Sequence, residues 1–176
     1  MRASTNADKV RQLMRELGRT VASPGRVYFT GGVTAVLLGW RDTTLDIDLK
    51  ADPEPFGFFE ALPKLKDKID INIELASPDD FVPALPGWRE RSKPIEIAGK
   101  LEFFHYDFYG QALSKIERFY ERDEGDVRRM LDEELVQKEK LWELFCAVEP
   151  KLIRYPAIDP EKLRARVQRI CGKETV

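Results

Sequence analysis

Apolar positions along the first hundred residues follow two rhythms. Val10, Leu13, Met14 and Leu17 recur at i, i+3, i+4 and i+7, one face of an α-helix, which predicts a helix over about Ala7–Val21. Ser23-Pro24-Gly25 breaks it. Val27-Tyr28-Phe29 is β-prone and runs directly into Gly31-Gly32, so a strand followed by a flexible turn is expected, then a short buried helix over Val33–Trp40 that closes near Gly39. Leu45-Asp46-Ile47-Asp48-Leu49 alternates strictly, which places Leu45, Ile47 and Leu49 on one face of a strand and both aspartates on the other. Pro53 and Pro55 end that strand, and a helix over about Phe56–Lys68 follows, interrupted or shifted in its start by Pro63. Asp70 to Leu75 alternates again, with Asn72 and Glu74 on its polar face.

The second half of the chain changes character. Ser77 to Trp88 reads as a loop, and Ile95–Ile97 with Leu101–His105 reads as a hairpin around Ala98-Gly99-Lys100. Helices are expected over about Gln111–Glu121, Gly125–Val148 and Pro160–Cys171, with an extended connector over Ile153–Pro160. Strands mixed with helices first, then helices alone, predict an α+β fold: a mixed β-sheet flanked by helices in residues 1–110, and a helical region in residues 111–176 packed on it.

Composition narrows the function without choosing it. The 176 residues are 43% apolar, enough for a sizeable core, and 34% charged, with a net charge of −2, so no global positive field draws the protein to nucleic acid or anionic membrane. Cys146 and Cys171 are too few and too far apart for a disulfide scaffold or a zinc pattern. Met1 to Lys9 lacks the apolar core of a signal peptide, and no window approaches the roughly 18–20 apolar residues of a membrane span. A reduced, cytoplasmic setting is the expectation.

The chemistry concentrates in three segments. Two aspartates at i and i+2 on a strand project from one face about 7 Å apart, close enough to share a hard divalent cation such as Mg²⁺. Glu74, on the polar face of the second alternating strand, stands as a third carboxylate. Gly31-Gly32 at a strand-to-helix turn lets backbone N–H groups approach a phosphate, and Thr30 and Thr34 add hydroxyls nearby. Each piece alone has an ordinary structural explanation, since glycine pairs make turns and edge strands carry acids; their order is what sharpens the pattern.

Phe29-Thr30-Gly31-Gly32 followed by Leu45-Asp46-Ile47-Asp48-Leu49 resembles the signature of the DNA polymerase β-like nucleotidyltransferase superfamily. Ala76-Ser77-Pro78-Asp79-Asp80-Phe81, Leu85-Pro86-Gly87-Trp88 and Ala112-Leu113-Ser114-Lys115 with Asp123 and Asp126 resemble a bacterial family of uncharacterised nucleotidyltransferase-like proteins, itself similar to nucleotidyltransferases of abortive-infection and toxin–antitoxin systems. The resemblance implies Mg²⁺ or Mn²⁺, a nucleoside triphosphate, and transfer of its monophosphate to an acceptor that is RNA, a protein or a small molecule. It equally accommodates a nucleotidyltransferase fold that binds without catalysing, as a toxin–antitoxin component or nucleotide sensor. Asp is the commoner third ligand in the superfamily, whereas this chain offers Glu74.

Other residues divide between site and scaffold. A lysine at the place of Lys115 suits a triphosphate in the related enzymes, or else lies along the surface with only its stem buried. Asp123 reads as an N-cap with Asp126 at N3, and Asp126 is open to either a nucleotide-binding or a capping role. Asp79 and Asp80 read as the first turn of a helix, not as catalytic groups, and His105 as a packed residue rather than a base. Lys162, Arg164, Arg166, Arg169 and Lys173 around the last helix form either a solvated face or an RNA-backbone contact.

Overall fold

The computed structural model describes residues 2–174. In chain order they form β1 (Thr5–Asn6), α1 (Ala7–Thr20), β2 (Gly25–Thr30), α2 (Gly32–Leu37), β3 (Thr43–Thr44), β4 (Asp46–Ala51), α3 (Phe58–Ile69), β5 (Asn72–Leu75), α4 (Trp88–Arg91), β6 (Lys93–Ala98), β7 (Leu101–His105), α5 (Phe108–Arg118), α6 (Glu121–Asp132), α7 (Lys138–Val148) and α8 (Pro160–Cys171). Short 3₁₀ turns cover Pro78–Asp80 and Glu149–Arg154. The mixed α+β architecture is the expected one. Among the described residues no helix is long and apolar enough to cross a membrane.

The chain divides into two compact units. One runs to Ser77 and takes in Ser92–Tyr106; the other comprises Pro78–Arg91 and the chain from Asp107 onward. The first unit is built on a five-stranded sheet of order β5-β4-β2-β7-β6. β4 runs antiparallel to β2 and parallel to β5, while β2 runs parallel to β7 and β7 antiparallel to β6, so the sheet is mixed. Pro94 sits on β6, an edge strand, where a missing N–H costs no central ladder bond. β1 and β3 add a two-residue ladder that has no signature in the sequence.

One face of this sheet is dry. Val10, Leu13, Met14 and Leu17 of α1 pack with Phe58, Ala61, Leu62, Leu65 and Ile69 of α3 over Val27, Phe29, Ile47, Leu49, Ile73, Leu101 and Phe103. Full burial of each large side chain contributes about 1.5–3 kcal/mol, which is ample reason for α3 to continue through Pro63 instead of stopping there. Helix α1 starts where Asn6 caps it, its side chain accepting from the Lys9 amide at 3.0 Å. It also lies unusually close to the β6–β7 turn: a Cβ on Gly18 would fall 2.1 Å from the Ala98 carbonyl oxygen.

Leu45 departs from expectation. It is 67% exposed, because β4 begins only at Asp46 and Leu45 forms the bend that leads into it. The alternation of Ile47 and Leu49 against Asp46 and Asp48 holds as read.

The second unit is helical and has its own apolar interior, including Phe108, Leu113, Ile116, Val127, Met130, Leu141, Phe145, Leu163 and Val167. Helix α5 starts at Phe108, three residues before the predicted Gln111, because the Asp107 side chain accepts from the Tyr109 amide at 3.2 Å. The single helix expected over Gly125–Val148 is two helices. Glu134 adopts φ 57°, and the amides of Leu135 and Val136 both turn back onto the Met130 carbonyl, ending α6 at Asp132.

Candidate active site

The parallel register of β4 and β5 aligns Asp46 with Asn72 and Asp48 with Glu74. Cα partners in a pleated ladder share a face, so all four side chains project from the side of the sheet opposite the α1–α3 core. On the other flank of β4, Thr30 of β2 is the partner of Asp48. The sheet thus gathers Thr30, Asp46, Asp48, Asn72 and Glu74 on one polar surface near one edge. Asp46 and Asp48 are half-buried, and Glu74 is exposed.

The turn after β2 closes on the same place. Gly31 adopts φ 69° and ψ −136°, a backbone region that is essentially open to glycine alone. A Cβ there would lie 2.8 Å from the Asp48 carboxylate oxygen Oδ2, so the absent side chain is what lets that carboxylate sit against the backbone. At Gly32 a Cβ would meet Thr44 Oγ1 at 2.2 Å, with an Arg41 guanidinium nitrogen 3.7 Å away. Both glycines are therefore demanded by close approaches: the first by a carboxylate, the second by the β3 segment. The Thr44 hydroxyl in turn donates to the Asp46 carbonyl at 3.2 Å, tying β3 to the start of β4.

Thr34 lies on α2 and is buried, its hydroxyl 3.1 Å from His105 Nδ1 and 3.4 Å from the Phe29 carbonyl. His105 ends β7, and burial pushes its pKa down to about 4, so the imidazole is neutral at physiological pH. This pair fastens α2, and with it the glycine turn, to the sheet. His105 is a packed, hydrogen-bonded residue, in keeping with its reading from sequence.

Lys115 and Asp126 belong to the helical unit. The Lys115 ammonium is buried and donates to Asp126 at 2.9 Å, with Asp123 at 3.6 Å. Asp123 is at once held by Arg118 through two bonds of 2.9 and 2.6 Å. Burial works to raise the Asp123 pKa, but the Arg118 bonds and the charges of Lys115 and Arg118 outweigh it and leave the carboxyl below its usual range. Asp123 is not the N-cap of α6: Tyr120 holds that place, and Asp123 sits at N3, where it accepts from the Tyr120 amide at 3.2 Å. Lys115 is thus an internal cation, not a surface side chain. Of these groups, Lys115 and Asp123 line a cleft of about 560 Å³, together with Ile116, Phe119, Val127, Arg169 and Ile170.

A family model described as a nucleotidyltransferase of unknown function (DUF6036) matches residues 8–165. The chain belongs to this family. No curated protein and no solved structure gives a match. The mixed α+β fold is consistent with a nucleotidyltransferase-like family.

A divalent metal is what the superfamily resemblance implies, and the donors present fit one. Asp46 and Asp48 offer hard oxygens on one face, and the missing Cβ of Gly31 lets the Asp48 carboxylate lie against the turn. Among the described residues, no three His, Cys, Asp or Glu side chains form a ready metal-binding group. Mg²⁺ commonly takes one or two carboxylates and completes its octahedron with water and substrate phosphate.

Two residues near the site have no counterpart among the candidates read from the sequence. The Asn72 amide donates to Asp46 Oδ1 in a short hydrogen bond. Arg41 brings its guanidinium beside Gly32. Asn72 was detectable as a strand-disfavouring residue on the polar face of β5; Arg41 carried no signal, because its proximity depends on the loop between α2 and β3.

Proposed function

We propose that the protein is a Mg²⁺-dependent nucleotidyltransferase, which moves a nucleoside monophosphate from a nucleoside triphosphate to a hydroxyl of an acceptor. The observation that carries this reading is the placement of Asp46 and Asp48 on one face with Gly31 pressed against Asp48. Asp46 and Asp48 would hold the metal, with Glu74, the register partner of Asp48, assisting. When bound, the ion neutralises the triphosphate and the departing pyrophosphate. The backbone N–H groups of the Gly31-Gly32 turn would donate to the phosphate oxygens, helped by the Thr30 hydroxyl and, through its hold on the turn, by Thr34. Within the helical unit, Lys115, where the resemblance implies a lysine suited to a triphosphate, and Asp126 are the candidate nucleotide-binding residues. A bond forms between the acceptor oxygen and the α-phosphorus, the bond from that phosphorus to pyrophosphate breaks, and the acceptor proton passes to a site carboxylate or to water.

The acceptor is RNA, a protein side chain or a small molecule, in a toxin–antitoxin or defence setting as the resemblance implies. Incubation with α-labelled nucleoside triphosphates, Mg²⁺ and cell extract tests the reading. Wild-type protein should label an acceptor, and Asp46→Ala/Asp48→Ala should not. Equal labelling by both would sink the metal assignment. Calorimetric binding of Mg²⁺–ATP without any transfer would instead return the protein to the class of nucleotide-binding modules.

A further inference from the structure

Asn72 is a partly buried polar side chain of the site that the proposed chemistry leaves unused. Asparagine disfavours strands, yet it occupies the first position of β5, in register with the first position of β4, Asp46. Its Nδ2 donates to Asp46 Oδ1. Asp46 needs such a hold. It directly follows the exposed bend at Leu45, so its side chain lacks the packed neighbours that fix Ile47 and Leu49. Asp48 is confined differently, by Gly31 on one flank and the β2 ladder on the other.

We propose that Asn72 is a positioning residue that fixes the Asp46 carboxylate by binding one of its oxygens and leaving the other turned to the metal. This role rests on the reading of Asp46 and Asp48 as metal-holding groups. An amide suits the task better than a carboxylate would. It donates to the anion, adds no negative charge beside two aspartates, and selects one oxygen of Asp46. Removing a partner that orients a ligand commonly costs about 10–100-fold in metal affinity. The register also pairs each aspartate of β4 with one polar residue of β5 on the same face: Asn72 with Asp46, and Glu74, an exposed carboxylate, with Asp48.

The test is Mn²⁺ binding to the full chain without nucleotide, followed by electron paramagnetic resonance, with the unfolding midpoint measured alongside. Asn72→Ala should weaken binding about 10–100-fold with little change in midpoint. Asn72→Thr, whose β-branched side chain fits a strand, should do the same and guards against a folding defect in the first variant. In an Asp46→Ala background, adding Asn72→Ala should change affinity less than about twofold, because the group it acts through is gone. In an amide-resolved NMR spectrum, the Asn72 side-chain resonances should move on addition of Mg²⁺ to wild type and stay still in Asp46→Ala. Wild-type affinity in both Asn72 variants, or an undiminished loss on top of Asp46→Ala, overturns the positioning role and leaves the metal reading intact. If wild-type protein binds no Mn²⁺ at all, the metal reading fails, and the role of Asn72 fails with it.

Discussion

His105 shows what a single buried side chain contributes and how to detect it. Its imidazole is pushed down to about 4 by burial, against about 6.5 in the unfolded chain. Between those two values the unfolded state binds a proton that the folded state refuses. Stability from this group is therefore complete above about pH 6.5 and falls as the pH drops toward 4, with a slope approaching about 1.4 kcal/mol per pH unit. Urea denaturation of wild type and His105→Gln at pH 7 and pH 5 should reveal it: the variant should lose less stability on acidification than the wild type. Identical pH dependence would mean that the ring reaches solvent or a carboxylate in the folded protein. Because Thr34 is the partner of His105, this variant should also loosen α2 and so the glycine turn. At this scale the sequence was informative about type but not about partners. The strand alternation put Asp46 and Asp48 on one face because the pleat has period two. Nothing local could announce that Asn72, twenty-six positions later, would donate to Asp46, since that contact depends on the β4–β5 register.

The elements were legible where a periodic apolar face was long, and obscure where a turn was closed by backbone alone. Helix α1 and strand β4 follow their patterns closely. The break between α6 and α7 does not, for it rests on Glu134 in the left-handed region, without a glycine or proline to mark it. The α5–α6 pair illustrates a related point. Phe119 ends α5 at φ 60°, again without glycine, and Lys115 of α5 reaches across to Asp126 and Asp123 of α6. Removing only the cation leaves two buried carboxylates with less compensation, a loss that commonly costs about 3–5 kcal/mol. Lys115→Met should therefore destabilise the protein by roughly that amount in guanidinium unfolding, in the absence of any nucleotide. The double variant Lys115→Met/Asp126→Leu should recover a good part of it, because both charges then leave together. If Lys115→Met is as stable as wild type but fails to bind Mg²⁺–ATP, the lysine serves the ligand and not the α5–α6 junction.

At the scale of the whole molecule, two units with separate apolar interiors hold different candidate residues. Thr30, Gly31, Gly32, Thr34, Asp46, Asp48 and Glu74 all lie in the sheet unit, and Lys115 and Asp126 lie in the helical one. A ligand that binds only the folded state stabilises by about 2.7 kcal/mol when present at 100 times its Kd. Mg²⁺–ATP at that excess should raise the unfolding midpoint by roughly 10–20 °C, since 1 kcal/mol shifts a unit of this size by roughly 4–8 °C. Asp46→Ala/Asp48→Ala should abolish the rise. The tryptophans allow the stabilised unit to be identified, because Trp40 belongs to the sheet unit and Trp88 and Trp142 to the helical unit. With Trp88 and Trp142 replaced by phenylalanine, the remaining fluorescence reports Trp40, and its transition should carry the shift. A Trp40 transition indifferent to Mg²⁺–ATP, with stabilisation reported only by Trp88 and Trp142, would move the nucleotide from the glycine turn to the cleft beside Lys115. The paired aspartates would then be left without their proposed substrate.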